Sequence, residues 1–168
     1  MEFKLYDRKF KLIGEDLYSF FKRGGKNKIE RWYPVKLALD ERGYKRFGFI
    51  LEGKRKNLRF HRVVYFAYNQ DWNFYDTSKN NFIDHIDGKD YPINHPKNNH
   101  ISNLRVVNQQ ENQFNTRSKG YSFHKASGKF QAEIKLNKKP IYLGLYDTKE
   151  EARAVYLEKK KELHKIRN

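Results

Sequence analysis

Apolar and polar residues alternate with period two over Tyr33 to Leu39 and over Tyr44 to Leu51, with Asp40-Glu41-Arg42-Gly43 between them. That pattern predicts an antiparallel hairpin. Glu52 to Asn57 reads as a second turn leading into Leu58 to Phe60, whereas residues 1–30 mix apolar and basic positions, with a turn expected at Gly24-Gly25 in the run Lys22 to Lys28. The pattern then changes. His61 to Tyr68 reads as a short helix with Val63, Val64, Phe66 and Ala67 on its apolar side, although valine and aromatic residues also suit a strand. Residues 69–100 are polar and punctuated, broken by the apolar pair Phe82-Ile83, and Leu104 to Val107 reads as a strand. Asn108 and Glu111 are spaced as a capping box, which starts a helix carrying Asn112 and Asn115.

Residues 120–168 show the clearest alternation. Tyr121 to His124, Phe130 to Leu136 and Pro140 to Tyr146 are expected strands, with Gly128 and Asn137-Lys138-Lys139 at the turns. Thr148 and Glu151 cap a helix that places Ala152, Val155, Tyr156, Leu163 and Ile166 near one face. The expected class is α+β. It comprises an N-terminal antiparallel sheet, a central strand-strand-helix segment, and a C-terminal three-stranded antiparallel sheet packed on one helix.

Composition sharpens this picture. The 168 residues include 36 Lys plus Arg against 20 Asp plus Glu, a net charge of +16. The excess sits in residues 1–60 and 119–168, while residues 61–118 are balanced and rich in Asn, Asp and His. Two basic flanks around a neutral centre suit a polyanion gripped at both ends, and phosphate backbones supply that partner. The division expected from charge is therefore a basic N-terminal β-sheet region over 1–60, a chemical centre over 61–118, and a basic domain over 119–168, although a merely soluble basic protein would show the same excess. Aromatic residues make up 16% of the chain, which argues for a packed core despite the charge. The absence of Cys excludes disulfides, thiolate zinc sites and a cysteine nucleophile. No stretch approaches the ~20 apolar residues of a spanning helix, so no membrane is expected. The start Met1-Glu2-Phe3-Lys4 has no apolar signal segment, and the expected location is cytoplasmic.

The centre holds Phe82-Ile83-Asp84-His85-Ile86-Asp87-Gly88, then Asn98-Asn99-His100-Ile101-Ser102-Asn103-Leu104-Arg105, then Asn112. Adjacent Asp and His on a strand end point to opposite sides, so one can bind a metal while the other handles a proton. Phosphodiester hydrolysis needs both services. Hard oxygen donors from Asp and Asn suit Mg²⁺ or Mn²⁺ better than zinc. An Asp-His pair alone more often means a structural histidine beside a turn. The fuller pattern, Asp84-His85-x-Asp87-Gly88 through Asn98-Asn99, Asn103-Leu104-Arg105 and Asn112, resembles the HNH nuclease family in its phage and intron homing-endonuclease branch. Gly43-Tyr44 and His61-Arg62-Val63-Val64 extend that resemblance upstream, and together it covers about residues 33–117.

The resemblance implies a ββα-metal nuclease motif with one ion, Mg²⁺ or Mn²⁺. It implies that His85 is the general base, that Asp84 and Asn112 are metal ligands, and that Asn103 shapes the His-bearing loop through side-chain to backbone hydrogen bonds. His61 or Arg62 supports the site or touches phosphate. Arg105 contacts a phosphate or pairs with Asp87, and the sequence leaves both open. Lys89 to Ile93 is an insertion relative to the family pattern, and His95 and His100 read as turn residues.

Residues 119–165 resemble the plant ethylene-response-factor DNA-binding domain. The resemblance rests on Gly120-Tyr121-Ser122-Phe123-His124, Gly128 to Ile134, Ile141 to Thr148 and Glu150 to Tyr156. It implies a sheet lying in a major groove with a helix behind. Alternation puts Ala132, Ile134, Ile141 and Leu143 inward, and Glu133, Lys135 and Tyr142 outward toward bases and backbone. Ser122, Lys125 and Pro140 stand at or near arginine positions of the plant domain, so no sequence preference follows. The expected DNA contacts are Lys36, Lys45, Arg46, Arg55, Arg59, Arg62 and Arg105 upstream, and Lys125, Lys129, Glu133, Lys135 and Tyr142 downstream. The expected function is a metal-dependent, site-specific DNA endonuclease acting as a monomer on double-stranded DNA. The alternative is a non-catalytic DNA-binding regulator, and a nuclease for structured RNA ranks third.

Overall fold

Hairpins with two-residue turns organise both ends of this chain. The computed structural model describes residues 1–23, 29–88, 95–115 and 118–166. The turn expected at Gly24-Gly25 and the insertion at 89–93 lie outside the described residues. The chain divides into two units, Met1–Val106 and Val107–Asn168.

In the first unit, β1 (Glu2–Leu5), β2 (Arg8–Ile13), β3 (Asp16–Arg23) and β4 (Ile29–Pro34) form a four-stranded sheet in that order. Phe3 pairs with Phe10, and Leu12 with Leu17, so one face is apolar and buried while Lys4, Lys9 and Lys11 lie on the other. A second, three-stranded sheet holds β5 (Ala38–Leu39), β6 (Lys45–Leu51) and β7 (Lys54–Arg59). The helix α1 (Phe60–Tyr68) follows without a break. It buries Phe60, Val63, Val64 and Ala67 against Phe3, Phe10, Phe47 and Phe74. A two-stranded sheet of β8 (Phe82–His85) and β9 (Leu104–Val107) shares this core through Ile83 and Leu104.

One core therefore joins residues 3 to 104, where the charge pattern suggested a boundary at residue 60. The observed hairpin partner of β6 is only the two residues Ala38–Leu39, rather than Tyr33 to Leu39. Tyr33 and Pro34 belong to the first sheet, and the Val35 N–H donates to Leu17 O at 2.8 Å. Residues 54–57, expected in a turn, are strand. Their lysines and Arg55 belong to an edge strand, where basic side chains discourage further pairing.

The second unit begins with α2 (Gln109–Phe114), capped by Asn108 and Glu111 as the sequence predicts. The strands β10 (Tyr121–His124), β11 (Lys129–Leu136) and β12 (Lys139–Tyr146) form an antiparallel sheet. The helix α3 (Lys149–Leu163) packs on it, with Thr148 and Glu151 completing a capping box. Ala132, Ile134, Ala152 and Tyr156 are its buried centre, and Tyr142 stands 59% exposed on the far face. Gly120 has φ +76°, and a Cβ there would lie 1.9 Å from the Tyr156 ring. Only glycine lets the chain enter β10 beneath that ring.

Candidate active site

The β8 strand supplies the two central groups. Alternation sends neighbouring side chains to opposite sides, and both are buried: Asp84 is 8% exposed and His85 9%. Asp84 Oδ2 accepts from Arg105 Nη2 at 3.1 Å and from Arg105 Nε at 3.3 Å. Arg105 thus pairs with Asp84, not with Asp87.

His85 meets a different set of groups. Its Nε2 lies 3.2 Å from Asn99 Oδ1. With Asn99 Oδ1 as the acceptor, this contact takes the tautomer that carries its proton on Nε2 and its lone pair on Nδ1. The Tyr44 ring stacks on the imidazole at 6.0 Å, and the His61 ring meets it edge-on at 5.0 Å. Tyr44 is delivered by the turn before β6, where Asp40 Oδ1 accepts from the Tyr44 and Arg42 N–H groups, each at 2.9 Å. Burial holds the His85 imidazole below its ordinary value of 6.5, while the Asn99 contact and the Asp84 charge act upward. The imidazole is therefore neutral at neutral pH, the form that accepts a proton. His61 is buried more deeply, its Nδ1 has no partner among the described residues, and burial pushes it well below 6.5, reinforced by His85, Arg59 and Arg62.

The loop between β8 and β9 is fastened by Asn103. Its Oδ1 accepts from the Asp87 N–H at 2.7 Å, and its Nδ2 donates to Asn98 O at 2.9 Å. Its backbone O also accepts from the Ile86 N–H at 2.9 Å. These bonds fix the turn after His85 and the segment carrying Asn99 against each other. His95 and His100 each accept, through their own side chains, a backbone N–H two residues on, and so act as turn caps.

No family model matches the sequence, and no curated protein matches it significantly. Among solved structures, the HNH homing endonuclease I-HmuI, described for its DNA binding and cleavage, aligns with a TM-score of 0.40. Identity is 26% over 67% of this chain and 53% of that one. This chain spans about half the length of that relative.

Asp84 offers a buried carboxylate oxygen of the kind a hard divalent ion takes, and the Arg105 guanidinium already pairs with it at 3.1 Å. No group of three or more His, Asp or Glu side chains gathers as a ligand cluster among the described residues. Such an ion would complete its sphere with water and phosphate oxygens. Asn112 lies in α2 of the second unit, its N–H donating to Asn108 O at 3.0 Å.

The cations expected on DNA fall into groups. Lys36, Arg46 and Arg55 line one cleft on the first unit. Lys45 pairs with Glu15 at 3.6 Å, and Arg59 with Asp40 at 3.9 Å. The Arg62 guanidinium donates to Asn81 O and Phe74 O and packs over Trp72, so it works as an internal brace. In the second unit, Lys129 pairs with Asp147, Lys125 and Lys135 are exposed, and Glu133 is half-buried. Asn99 and Tyr44 stand in the quoted motifs, but the sequence assigns neither of them a role at the site. The role of Asn99 depends on a contact that only the folded loop creates.

Proposed function

We propose that this protein is a metal-dependent DNA endonuclease that hydrolyses phosphodiester bonds with His85 as general base. The observation that carries the reading is the buried pair Asp84-His85, with the imidazole oriented by Asn99 through Nε2 and kept neutral by burial. In this reading Nδ1 takes the proton from the attacking water. Asn99 keeps the proton on the opposite nitrogen, and Asn103 keeps the loop that presents both. Asp84, with Asn112 by sequence resemblance, would hold Mg²⁺ or Mn²⁺, and such an ion would supply charge to offset that on the phosphate and on the departing oxygen. The basic side chains of the first sheets and the exposed face of β10–β12, with Lys125, Lys129, Glu133, Lys135 and Tyr142, hold and read the duplex.

The test is a plasmid-nicking assay with Mg²⁺ and with EDTA. Wild-type protein should nick only with the metal. His85→Ala should reduce cleavage by at least about a hundredfold while DNA binding survives. Cleavage retained by purified His85→Ala refutes the general base. The ion pair between Asp84 and Arg105 favours a second reading, a DNA-binding regulator whose carboxylate serves the fold. In that case wild-type protein binds DNA and cuts nothing with either metal.

A further inference from the structure

The outward face of the β5–β7 sheet is set by Phe47, which is buried and leaves Arg46, Gly48 and Ile50 on the opposite side of β6. Cross-strand register then places Arg59 opposite Arg46, Asn57 opposite Gly48 and Arg55 opposite Ile50. Like charges facing each other across a strand pair destabilise it. Asp40 offsets part of this, since it approaches Arg59 at 3.9 Å and feels the charge of Arg46. Lys36, Arg46 and Arg55 nevertheless converge on one cleft of about 480 Å³, and no carboxylate lines it among the described residues.

The floor of this cleft is built around a missing side chain. A Cβ at Gly48 would lie 2.6 Å from Asn57 Oδ1 and 3.0 Å from Lys56 O. Glycine here lets Asn57 lie across the strand, where its Oδ1 accepts from Arg55 Nε at 3.2 Å. That bond orients the guanidinium and leaves its terminal N–H groups to reach a ligand. Glycine inside a strand weakens the strand and marks places where a ligand approaches the backbone closely. Guanidinium groups beside such a floor match the paired oxygens of a phosphodiester.

We propose that this cleft is a phosphodiester clamp. Arg46 and Arg55, with Lys36 beside them, grip a backbone phosphate of the nucleic acid above Gly48, and Asn57 positions Arg55. The inference rests on the nucleic-acid reading above but not on cleavage.

The experiment uses full-length protein, a labelled duplex DNA of mixed sequence, EDTA to prevent cutting, and a salt series. Arg46→Gln/Arg55→Gln is compared with Lys161→Gln/Lys165→Gln, which removes the same charge from exposed positions near the C-terminal end. The cleft double variant should bind about tenfold more weakly or worse, and the slope of log K against log salt should fall by about two in magnitude. The control should lose far less. Asn57→Ala alters no charge and should weaken binding about threefold while Arg55 remains. Equal losses from both double variants would reduce the effect to net charge and overturn the clamp. Unchanged binding by Asn57→Ala removes the positioning role. If wild-type protein binds DNA but does not cut it with Mg²⁺, the nuclease reading fails and the clamp stands. If wild-type protein binds no duplex, the clamp falls.

Discussion

His85 owes its chemistry to three neighbours that reach it from separate places: Asn99, Tyr44 and His61. Replacing Asn99 with Leu leaves Nε2 without its acceptor and should lower the cleavage rate by roughly tenfold to a hundredfold at saturating DNA, with binding intact. Single-turnover rates check this. His61 makes a separate prediction about stability. Its folded-state pKa is depressed, so the native state binds fewer protons than the unfolded one below the ordinary value of 6.5. The contribution is complete above that value and is lost as pH falls, so Tm should drop from about pH 7 to about pH 5. His61→Leu should flatten that drop in a melting series. At this scale the sequence marks Asp84, His85 and Asn103, because the spacing of short polar motifs survives in the chain itself. Tyr44 lies forty-one positions from His85, and their stacking arises only when the β5–β6 turn folds over β8. Arg105 was legible as a charge, while its partner depended on strand pairing.

The C-terminal elements read directly from sequence, since their apolar residues alternate and Thr148 with Glu151 announces the helix, although a register shift between Ala132 and Glu133 breaks the pairing of β11 with β12. Thr148→Ala should lower stability by about 1 kcal/mol through loss of the cap. Gly120→Ala should cost about 3 kcal/mol or more, because it adds backbone strain and drives a methyl into the Tyr156 ring. Denaturant unfolding separates the two sizes of effect. The N-terminal sheet was harder to see. Its first turn uses Tyr6 and Asp7 at φ 50° and 61°, without the glycine that usually signals a hairpin. The strands β1–β3 do alternate, but lysines on one face and aromatics on both blur the period. The basic run of β7 resembles a loop by composition, and only its pairing with β6 makes it a strand.

Over the whole molecule, basic residues at both ends are its largest electrostatic feature, with a net charge of +16. DNA binding should therefore weaken steeply with salt, while the rate of cutting from the bound state changes little. Lys135→Gln combined with Tyr142→Ala should reduce discrimination between target and random DNA more than it reduces the rate at saturating target, as competition cleavage would measure. The division into two units was not legible from charge. Residues 1–60 carry a strong charge signal, but the aromatic side chains that join them to α1 and β8 decide the boundary. The pair formed by Arg105 and Asp84 has a thermodynamic consequence. A buried carboxylate with a resident counter-ion has its charge balanced before any divalent ion arrives. If the proposed nuclease reading holds, chelators should then silence cleavage while the melting curve stays where it was, separating architecture from activity in a single titration.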